Sequence, residues 1–362
     1  MNNTKHSPGS PDHSFFSPIA IVSAGCVFAG SPDLESLWQL VASAQNASSE
    51  VPSGRWVLDP ATLRADSMAQ ADKVHTTRGF FAQVPERNPE KYPLPQEILQ
   101  KLDAGSLFGL EAAHQALKGK IENLDRQRVG VILGHIALPT EGTCKLNLQV
   151  LGKVLSEAAG LPVPEECLGV EPSWLSQPAA LPANLIAKAF NLGGPCFTLD
   201  AACASSFYAL KLASDALYYR RADAVLAGGV SGADSLYTHM GFSQLRALSM
   251  SGNCRPFDHR GDGLMVGEGA GIFLLKRLQD AIEAGDEILG VIRGIGLSND
   301  IGGGLLAPNS EGQLRAMRAA YQQSGLKPSD IDLIECHAAG TPVGDGVEFS
   351  SMAELWKSES YK

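Results

Sequence analysis

One cysteine stands where a nucleophile could be activated. Cys203 lies in the segment Asp200-Ala-Ala-Cys-Ala-Ser-Ser206, after an apolar run at residues 195–199 and before a helical pattern at residues 207–219. We therefore expect a strand to deliver Cys203, through a bend of small residues, to the first turn of a helix. That turn carries free N–H groups and a partial positive charge, which favour the nucleophilic thiolate. Taken alone, the segment fits equally well a small buried thiol at a helix start.

A histidine near the end of the sequence offers a second reactive group. His337 lies in Glu335-Cys-His-Ala-Ala-Gly-Thr-Pro-Val-Gly-Asp345, directly after a predicted strand at residues 331–335. In open α/β sheets, ligands bind outside the carboxyl ends of the strands. An imidazole at that edge can stabilise a thioester oxygen or transfer a proton. The alternative is a histidine whose ring only bonds nearby backbone; the presence of Cys203 favours the reactive role.

A glycine-rich stretch lies between these two residues. Arg255-Pro-Phe-Asp258 and Asp262-Gly-Leu-Met-Val-Gly-Glu-Gly-Ala-Gly271 lead into a predicted strand at residues 269–275. A phosphate-binding loop would open a helix and end in Gly-Lys-Ser/Thr, and the dinucleotide fingerprint has a different glycine spacing. The stretch therefore predicts close backbone packing beside the site rather than nucleotide binding.

Strand and helix patterns alternate along the chain. The strand patterns lie at residues 18–24, 128–134, 195–199, 222–229, 269–275, 288–293 and 331–335. The helical patterns lie at residues 34–41, 98–117, 181–190, 207–219, 277–284, 310–325 and 347–356. This alternation predicts an α/β fold with a largely parallel sheet. Residues 46–95 and 230–267 are expected to be irregular or loop regions, and residues 139–180 show no clear pattern.

Composition excludes several kinds of protein. The 362 residues carry a formal net charge of -10, which argues against a nucleic-acid partner. The seven cysteines include no Cys-x-x-Cys pair, so we predict neither a metal site nor a disulfide framework and favour a reducing, cytoplasmic setting. Residues 1–17 predict a disordered leader, and the apolar residues 19–30 fit a first core strand better than a signal segment. No apolar run reaches about 18 residues, so we expect no membrane span.

The reactive and glycine-rich stretches resemble a known family. The Cys203 segment, Arg255-Pro-Phe-Asp258 with Gly-Glu-Gly-Ala-Gly271, and the His337 loop are similar to the signatures of β-ketoacyl synthases of fatty-acid and polyketide synthases, in that family's order. Leu245-Arg-Ala-Leu-Ser and Gly294-Ile-Gly-Leu-Ser-Asn-Asp resemble ketosynthase domains of modular polyketide and polyunsaturated-fatty-acid synthases. The resemblance runs from about residue 18 to the end of the sequence.

The resemblance implies the thiolase-like fold, an α/β architecture with α-β-α-β-α layers made of two βαβαβ halves, the second of them incomplete here. Residues 18–284 would form the N-terminal half with the nucleophile, and residues 285–362 a partial C-terminal half. The implied activity is that of a β-ketoacyl-acyl-carrier-protein synthase. Such an acyltransferase holds an acyl thioester, here on Cys203, and condenses it by decarboxylation with a malonyl extender.

The resemblance also implies roles for single residues. His337 is similar to the first of two histidines that assist decarboxylation and stabilise the enolate. Thr341, Asp345 and Glu348 match supporting positions, and the family counterpart of Glu348 supports a lysine further along. The Cys203 N–H would supply half of the oxyanion hole. Substrates would arrive on the phosphopantetheine arm of an acyl carrier protein, with no bound cofactor, and the assembly would be a homodimer or would include other synthase domains.

Two departures from the family pattern matter. Ala339 stands where the family has a threonine, which removes one hydroxyl. No histidine follows His337, and the only later lysines are Lys357 and Lys362, so the second histidine, the lysine and the glycine-rich turn have no counterparts. We therefore expect a truncated ketosynthase that does not complete condensation alone.

Two other interpretations stay open. The first is a non-catalytic partner, a chain-length-factor-like or scaffolding subunit. Such partners usually lack the cysteine, so Cys203 disfavours this interpretation, whereas the missing second histidine favours it or an inactive fragment. The second is a thiolase or related acyl-transfer enzyme on the same fold. The Gly-Glu-Gly-Ala-Gly and His-Ala-Ala-Gly-Thr stretches disfavour that second interpretation.

Overall fold

Strands and helices are assigned in a computed structural model that describes residues 17–67, 70–160, 162, 180–302 and 307–357. The strands are β1 (Ile19–Phe28), β2 (Ser49–Glu50), β3 (Arg78–Gly79), β4 (Val129–His135), β5 (Cys196–Leu199), β6 (Ala224–Ser231), β7 (Gly269–Arg277) and β8 (Gly290–Ile292). The α-helices are α1 (Leu34–Ala42), α2 (Pro60–Leu63), α3 (Gln96–Leu99), α4 (Ala104–Leu117), α5 (Glu141–Ala159), α6 (Leu181–Phe190), α7 (Ser205–Tyr218), α8 (Ser235–Gln244), α9 (Leu278–Ala284), α10 (Ser310–Ser324) and α11 (Pro342–Lys357). The leader predicted at residues 1–17 lies, except for Ser17, outside the described residues.

A six-stranded mixed sheet forms the centre of the fold, in the order β5-β4-β6-β7-β1-β8. β4 is parallel to β5 and β6, whereas the pairs β6–β7, β7–β1 and β1–β8 are antiparallel. The prediction of a largely parallel sheet is therefore wrong. The chain between β6 and β7 returns to the same edge of the sheet at which β6 ends. β7 therefore runs antiparallel to β6, and Ser231 lies opposite Gly269.

Helices cover both faces of this sheet. Successive strand residues point to opposite faces, and β4 shows this directly. Its Val131 and Leu133 pack in the larger core with α4 and α6. Ile132 packs in the smaller core with α7, through Ala213 and Leu217. A strand buried on both faces reads as a continuous apolar run, which is why the pattern at residues 128–134 predicted β4.

Three helix predictions need correction. The helix expected at residues 98–117 is two helices: α3 ends at Leu99, and α4 starts anew after Asp103, whose extended backbone interrupts the helix. The loop expected at residues 230–267 contains α8, whose N-cap Asp234 accepts a hydrogen bond from the Tyr237 N–H at 2.8 Å. The unassigned region at residues 139–180 contains α5, and residues 163–179 lie outside the described residues.

The strand predicted at residues 331–335 is not formed. A strand needs a neighbour to bond its N–H and C=O groups, and in the described part of the chain none lies beside this segment. Leu333 is accordingly 82% exposed.

The residues after 285 contribute β8 to the edge of the same sheet and add the packed pair α10 and α11. Ser351 and Ser310 join these two helices by a hydrogen bond of 2.8 Å, and Tyr321 meets Trp356 edge to face. Within the described residues this second half has no sheet of its own. Among the described helices, none combines the length and the apolar character needed to cross a membrane.

Candidate active site

One edge of the sheet gathers the ends of several strands. The parallel strands β4, β5 and β6 end there at His135, Leu199 and Ser231. Gly269, the first residue of β7, lies opposite Ser231 at the same edge. Cys203 follows β5 and therefore also lies at this edge, which is where ligands bind in open α/β sheets.

Cys203 occupies a short 3-10 turn, Ala202–Ala204, directly before α7 begins at Ser205. It thus lies just ahead of the first helical turn in which we expected it. Its side chain is exposed, so the alternative of a small buried thiol is wrong. Among the described residues, the Cys203 backbone N–H donates no hydrogen bond. An exposed thiol with a free N–H beside it can attack a carbonyl and bind the resulting oxyanion.

Asp200 fastens this turn to the neighbouring strand. One carboxylate oxygen accepts the Ala202 N–H at 2.9 Å, and the other accepts the Ala137 N–H, after β4, at 2.9 Å. These two N–H groups hold the pKa of Asp200 below its usual range. Ser205 adds a second fastening, because its hydroxyl accepts the Ala201 N–H at 2.9 Å and donates to the Ala202 carbonyl at 2.6 Å.

Sequence reasoning missed Asp200 and Ser205. A signal for Asp200 was present, because an Asp side chain commonly bonds the backbone N–H two residues on in a turn. The contact of Asp200 with Ala137 joins residues 63 positions apart and had no local signal.

His337 is exposed and lies in the extended segment before α11. Its backbone N–H donates to one carboxylate oxygen of Glu348 at 2.7 Å, and the Ala338 N–H donates to the other at 2.9 Å. Ala338 has the left-handed φ of 47°. Glu348, on α11, therefore fixes the backbone of the turn that carries the histidine.

Asp345 connects the histidine loop to the glycine-rich stretch. This buried carboxylate accepts the Gly340 N–H at 3.1 Å and the Phe257 N–H at 2.8 Å. The Gly263 N–H also donates to the Gly340 carbonyl at 3.1 Å. The carbonyl of Thr341 accepts the Asp345 N–H at 2.9 Å and so opens the hydrogen-bond ladder of α11. Thr341, Asp345, Glu348 and His337 thus form one cluster.

Glu268 is the buried acid of the glycine-rich stretch. Its carboxylate pairs with Arg55 and accepts the Ala82 N–H at 3.0 Å. Burial raises the pKa of Glu268, and Arg55 opposes that rise. The close packing predicted for this stretch is confirmed at Gly269, where a Cβ atom would lie 2.2 Å from the Val27 carbonyl oxygen.

A cleft opens beside Glu268. Its lining includes Phe80, Phe81, Ser231, Thr238 and Val266. It therefore combines apolar rings with hydroxyl groups at the edge that also carries Cys203.

The two candidate residues, Cys203 and His337, belong to separate networks. Within the described residues, no hydrogen bond or ion pair joins Cys203 to His337. Asp200 and Ser205 instead bond the backbone of Ala201 and Ala202, the two residues before Cys203, and Glu348 bonds the backbone N–H of His337. The described residues contain no group of three or more His, Cys, Asp or Glu side chains placed to hold a metal ion.

Comparison with known proteins adds an independent observation. Residues 16–281 match the family model of the β-ketoacyl synthase N-terminal domain, and residues 289–362 match that of the β-ketoacyl synthase C-terminal domain. The phenolphthiocerol/phthiocerol polyketide synthase of Mycobacterium tuberculosis has a polypeptide that is 33% identical over 344 residues, which cover 93% of this chain and 17% of that protein. The chain thus spans less than a fifth of this curated relative.

Solved structures agree with these matches. The structure described as PfaC Keto synthase-Chain length factor superposes with a TM-score of 0.85 and 35% identity, over 96% of this chain and 38% of that one. The oxazolomycin ketosynthase domain of Streptomyces albus superposes with a TM-score of 0.80 and 26% identity, over 94% of this chain and 56% of that one. The expected thiolase-like fold is thereby confirmed. The chain belongs to the β-ketoacyl synthase family, as a ketosynthase domain of the polyketide-synthase type.

Proposed function

We propose that this chain carries the acyl-accepting site of a β-ketoacyl-acyl-carrier-protein synthase and that Cys203 is its nucleophile. The observation that carries the proposal is the exposure of Cys203, whose backbone N–H bonds to no other described residue, in a turn held by hydrogen bonds at the carboxyl edge of the sheet. A non-catalytic partner would need neither an exposed thiol nor a turn fastened around it.

The first chemical step is a thioester exchange. The Cys203 thiolate attacks the carbonyl carbon of an acyl chain held on the phosphopantetheine thiol of an acyl carrier protein. The new carbon–sulfur bond forms first and gives a tetrahedral intermediate. The old carbon–sulfur bond then breaks as the carbonyl re-forms, and the carrier thiolate leaves and takes up a proton. The oxyanion of the tetrahedral intermediate accepts a hydrogen bond from the Cys203 N–H. This bond stabilises the negatively charged intermediate more than it stabilises the neutral carbonyl of the substrate.

The second step assigns a role to His337. A malonyl group on carrier protein loses carbon dioxide, and the enolate carbon attacks the acyl carbon on Cys203. A carbon–carbon bond forms, the bond to the Cys203 sulfur breaks, and the thiolate returns. His337 would stabilise the enolate oxygen by donating a hydrogen bond.

The supporting residues act on the histidine loop in this proposal. Glu348 sets the backbone direction at His337, and Asp345 holds Gly340 against Phe257. Thr341 begins the helix that carries both acids. These backbone contacts support positioning roles for all three residues.

We place the domain boundary of the proposal near residue 285, with a nucleophile half at residues 18–284 and residues 285–362 in the C-terminal half. The family-model matches at residues 16–281 and 289–362 support this division. The products would belong to fatty-acid or polyketide biosynthesis. The six described cysteines are free, which supports a reducing, cytoplasmic setting.

A homodimer forms part of the proposal. β5 is an edge strand, and in the described part of the chain its outer side has no strand partner. Its Phe197 is 36% exposed. An unpaired strand edge is a template for pairing with a second copy. We therefore expect β5 to lie at the two-fold axis, unless other synthase domains cover it.

Acylation of intact protein tests the proposal. The chain is incubated with an acyl phosphopantetheine thioester, and the labelled residue is identified by peptide mass spectrometry. We expect one acyl group on Cys203, none on Cys203→Ala, and undiminished labelling of Cys254→Ser, which removes another exposed cysteine. Acylation of Cys254 to the same extent as Cys203, or of neither, would favour the non-catalytic partner.

A further inference from the structure

The residue before Cys203 has an unusual backbone conformation. Ala202 adopts a φ of 50°, in the left-handed region, where a side chain crowds the backbone. Glycine would adopt this conformation without strain. An alanine remains there only if its surroundings over-determine the turn. Neighbouring groups must therefore hold Ala202 in this conformation.

Two side chains surround this turn with hydrogen bonds. The Asp200 carboxylate accepts a hydrogen bond from the Ala202 N–H, and the Ser205 hydroxyl donates one to the Ala202 carbonyl. The peptide groups on both sides of the left-handed residue are thus fixed. The second oxygen of Asp200 takes the Ala137 N–H, so the turn is also fixed relative to β4.

The start of α7 is fixed as well. Ser205 is buried, and a Cβ atom on Gly134 of β4 would lie 2.5 Å from its carbonyl carbon. The helix therefore meets the strand backbone to backbone. Both ends of the turn that carries Cys203 are therefore held.

We propose that Asp200 and Ser205 are positioning residues for Cys203, which hold Ala202 in its left-handed conformation so that the thiol and its own N–H face one substrate carbonyl. This inference rests on the proposed function of Cys203.

The geometry separates positioning from an electrostatic role. An electrostatic role for Asp200 would act through Coulomb repulsion between its carboxylate and the thiolate. If Asp200 acted mainly through its charge, Asp200→Asn would make Cys203 more reactive. If Asp200 acts by position, Asp200→Asn makes acyl transfer slower, because an amide has one acceptor oxygen and cannot receive both N–H groups.

Two reactions of the same thiol distinguish these roles. Acyl transfer from a phosphopantetheine thioester needs the thiol and the oxyanion donor aligned, whereas alkylation by iodoacetamide needs only an accessible thiolate. We expect Asp200→Asn to slow acylation about tenfold and to leave alkylation within about threefold of wild type. Asp59→Asn is the matched control, since Asp59 makes the same type of turn with the Ala61 N–H at 2.9 Å, away from Cys203.

A second substitution tests the strain directly. Asp200→Asn combined with Ala202→Gly should recover acylation to within about threefold of wild type, because glycine adopts the left-handed conformation without the steric cost that alanine incurs. Ser205→Ala keeps the charge of Asp200 and should also slow acylation. It serves as a second variant if Asp200→Asn folds poorly. Faster alkylation with unchanged acylation in Asp200→Asn, or a double variant no faster than Asp200→Asn, would overturn the inference.

Hydrogen exchange separates failure of this inference from failure of the proposed function. The peptide that contains Ala201 to Ala204 should lose protection in Asp200→Asn and keep it in Asp59→Asn. If wild-type Cys203 is not acylated, the proposed function is wrong, and exchange still reports whether Asp200 holds the turn. Unchanged exchange in Asp200→Asn and in Ser205→Ala would show that neither residue holds it.

Discussion

Glu348 holds His337 by its backbone: the carboxylate accepts the His337 N–H at 2.7 Å and the next N–H along the chain at 2.9 Å. That next residue, Ala338, has a φ of 47°. The arrangement repeats the one at Cys203, where Asp200 holds Ala202 at a φ of 50°. Each reactive residue therefore stands beside a left-handed alanine whose N–H bonds to a carboxylate.

Replacing this carboxylate should destabilise the histidine loop. In Glu348→Gln the side-chain amide has one oxygen to accept a hydrogen bond, whereas two backbone N–H groups need an acceptor. Its NH2 group then faces the second N–H, so that two donors oppose each other. We expect the free energy of unfolding to fall by about 1–2 kcal/mol, as measured by urea denaturation followed by circular dichroism. Alkylation of Cys203 should stay unchanged, since the hydrogen bonds of Glu348 within the described residues go to His337 and Ala338.

Glu354→Gln is the control for this prediction. Glu354 lies on the same helix and makes only an exposed ion pair with Lys357 at 3.5 Å. Exposed pairs of this kind contribute less than about 1 kcal/mol. Equal losses of stability in Glu348→Gln and Glu354→Gln would contradict the special role of Glu348.

The contact between β4 and α7 gives a second prediction. A Cβ atom on Gly134 would lie 2.5–2.7 Å from atoms of Ser205 and Ser206, most of them backbone. Gly134→Ala should therefore push the start of α7 away from the sheet and destabilise the fold by about 2–3 kcal/mol. We also expect slower acylation of Cys203, because the helix start sets its turn. Thermal unfolding and the acylation assay measure the two effects.

Gly241→Ala is the matched substitution for Gly134→Ala. A Cβ atom on Gly241, in α8, would have nothing within 4 Å, and alanine favours a helix over glycine by about 1 kcal/mol. The melting temperature should stay the same or rise. If Gly134→Ala and Gly241→Ala have the same melting temperature, the start of α7 does not pack closely against Gly134.

Local pattern predicted most of the central sheet and its helices. The apolar run of β4 and the helical period of α7 are properties of consecutive residues, and both elements form within a residue or two of the predicted bounds. Residues 331–335 carry the same kind of apolar run and form no strand. Strand formation depends on a partner elsewhere in the fold, which no local pattern specifies.

The sequence motifs predicted which residues are candidates for the site but not what holds their backbone. Cys203 and His337 were found from their motifs, but the contacts of Asp200 and Glu348 with backbone N–H groups were not. Such contacts depend on left-handed conformations at Ala202 and Ala338. Alanine gives no sign of that conformation in a sequence, whereas glycine at the same place would suggest it.

The histidine loop supplies a third prediction. Gly340 has a φ of 78°, and a Cβ atom there would lie 2.9 Å from the Gly263 carbonyl oxygen. Gly340→Ala therefore combines backbone strain with a clash and should destabilise the protein by about 2 kcal/mol or more. Gly346→Ala, at a position of α11 with open space around it, should be neutral or stabilising. Urea denaturation of both variants checks the difference, and similar midpoints would contradict it.

The fourth prediction concerns acid. Hydrogen bonds from Arg128 and then Arg277 lower the pKa of Asp223 from 3.8 to about 2. The pairs measure 2.9 Å to Arg128 Nε and 2.8 Å to Arg277 Nη2. Because the folded pKa lies below the unfolded value, the carboxylate stabilises the fold above about pH 4. That stabilisation is lost as the pH falls toward 2.

Asp223→Asn should therefore destabilise the protein at pH 7 and not at pH 2. The Asp223 side chain is 49% exposed, so solvent screening limits the loss at pH 7 to about 1 kcal/mol. Asp332→Asn is the control, since Asp332 is an exposed acid that forms no ion pair within the described residues. Urea denaturation of wild type and both variants, from pH 7 down to 2, gives the comparison. A difference between wild type and Asp223→Asn that persists unchanged to pH 2 would mean that packing, rather than the two arginine bonds, explains the effect.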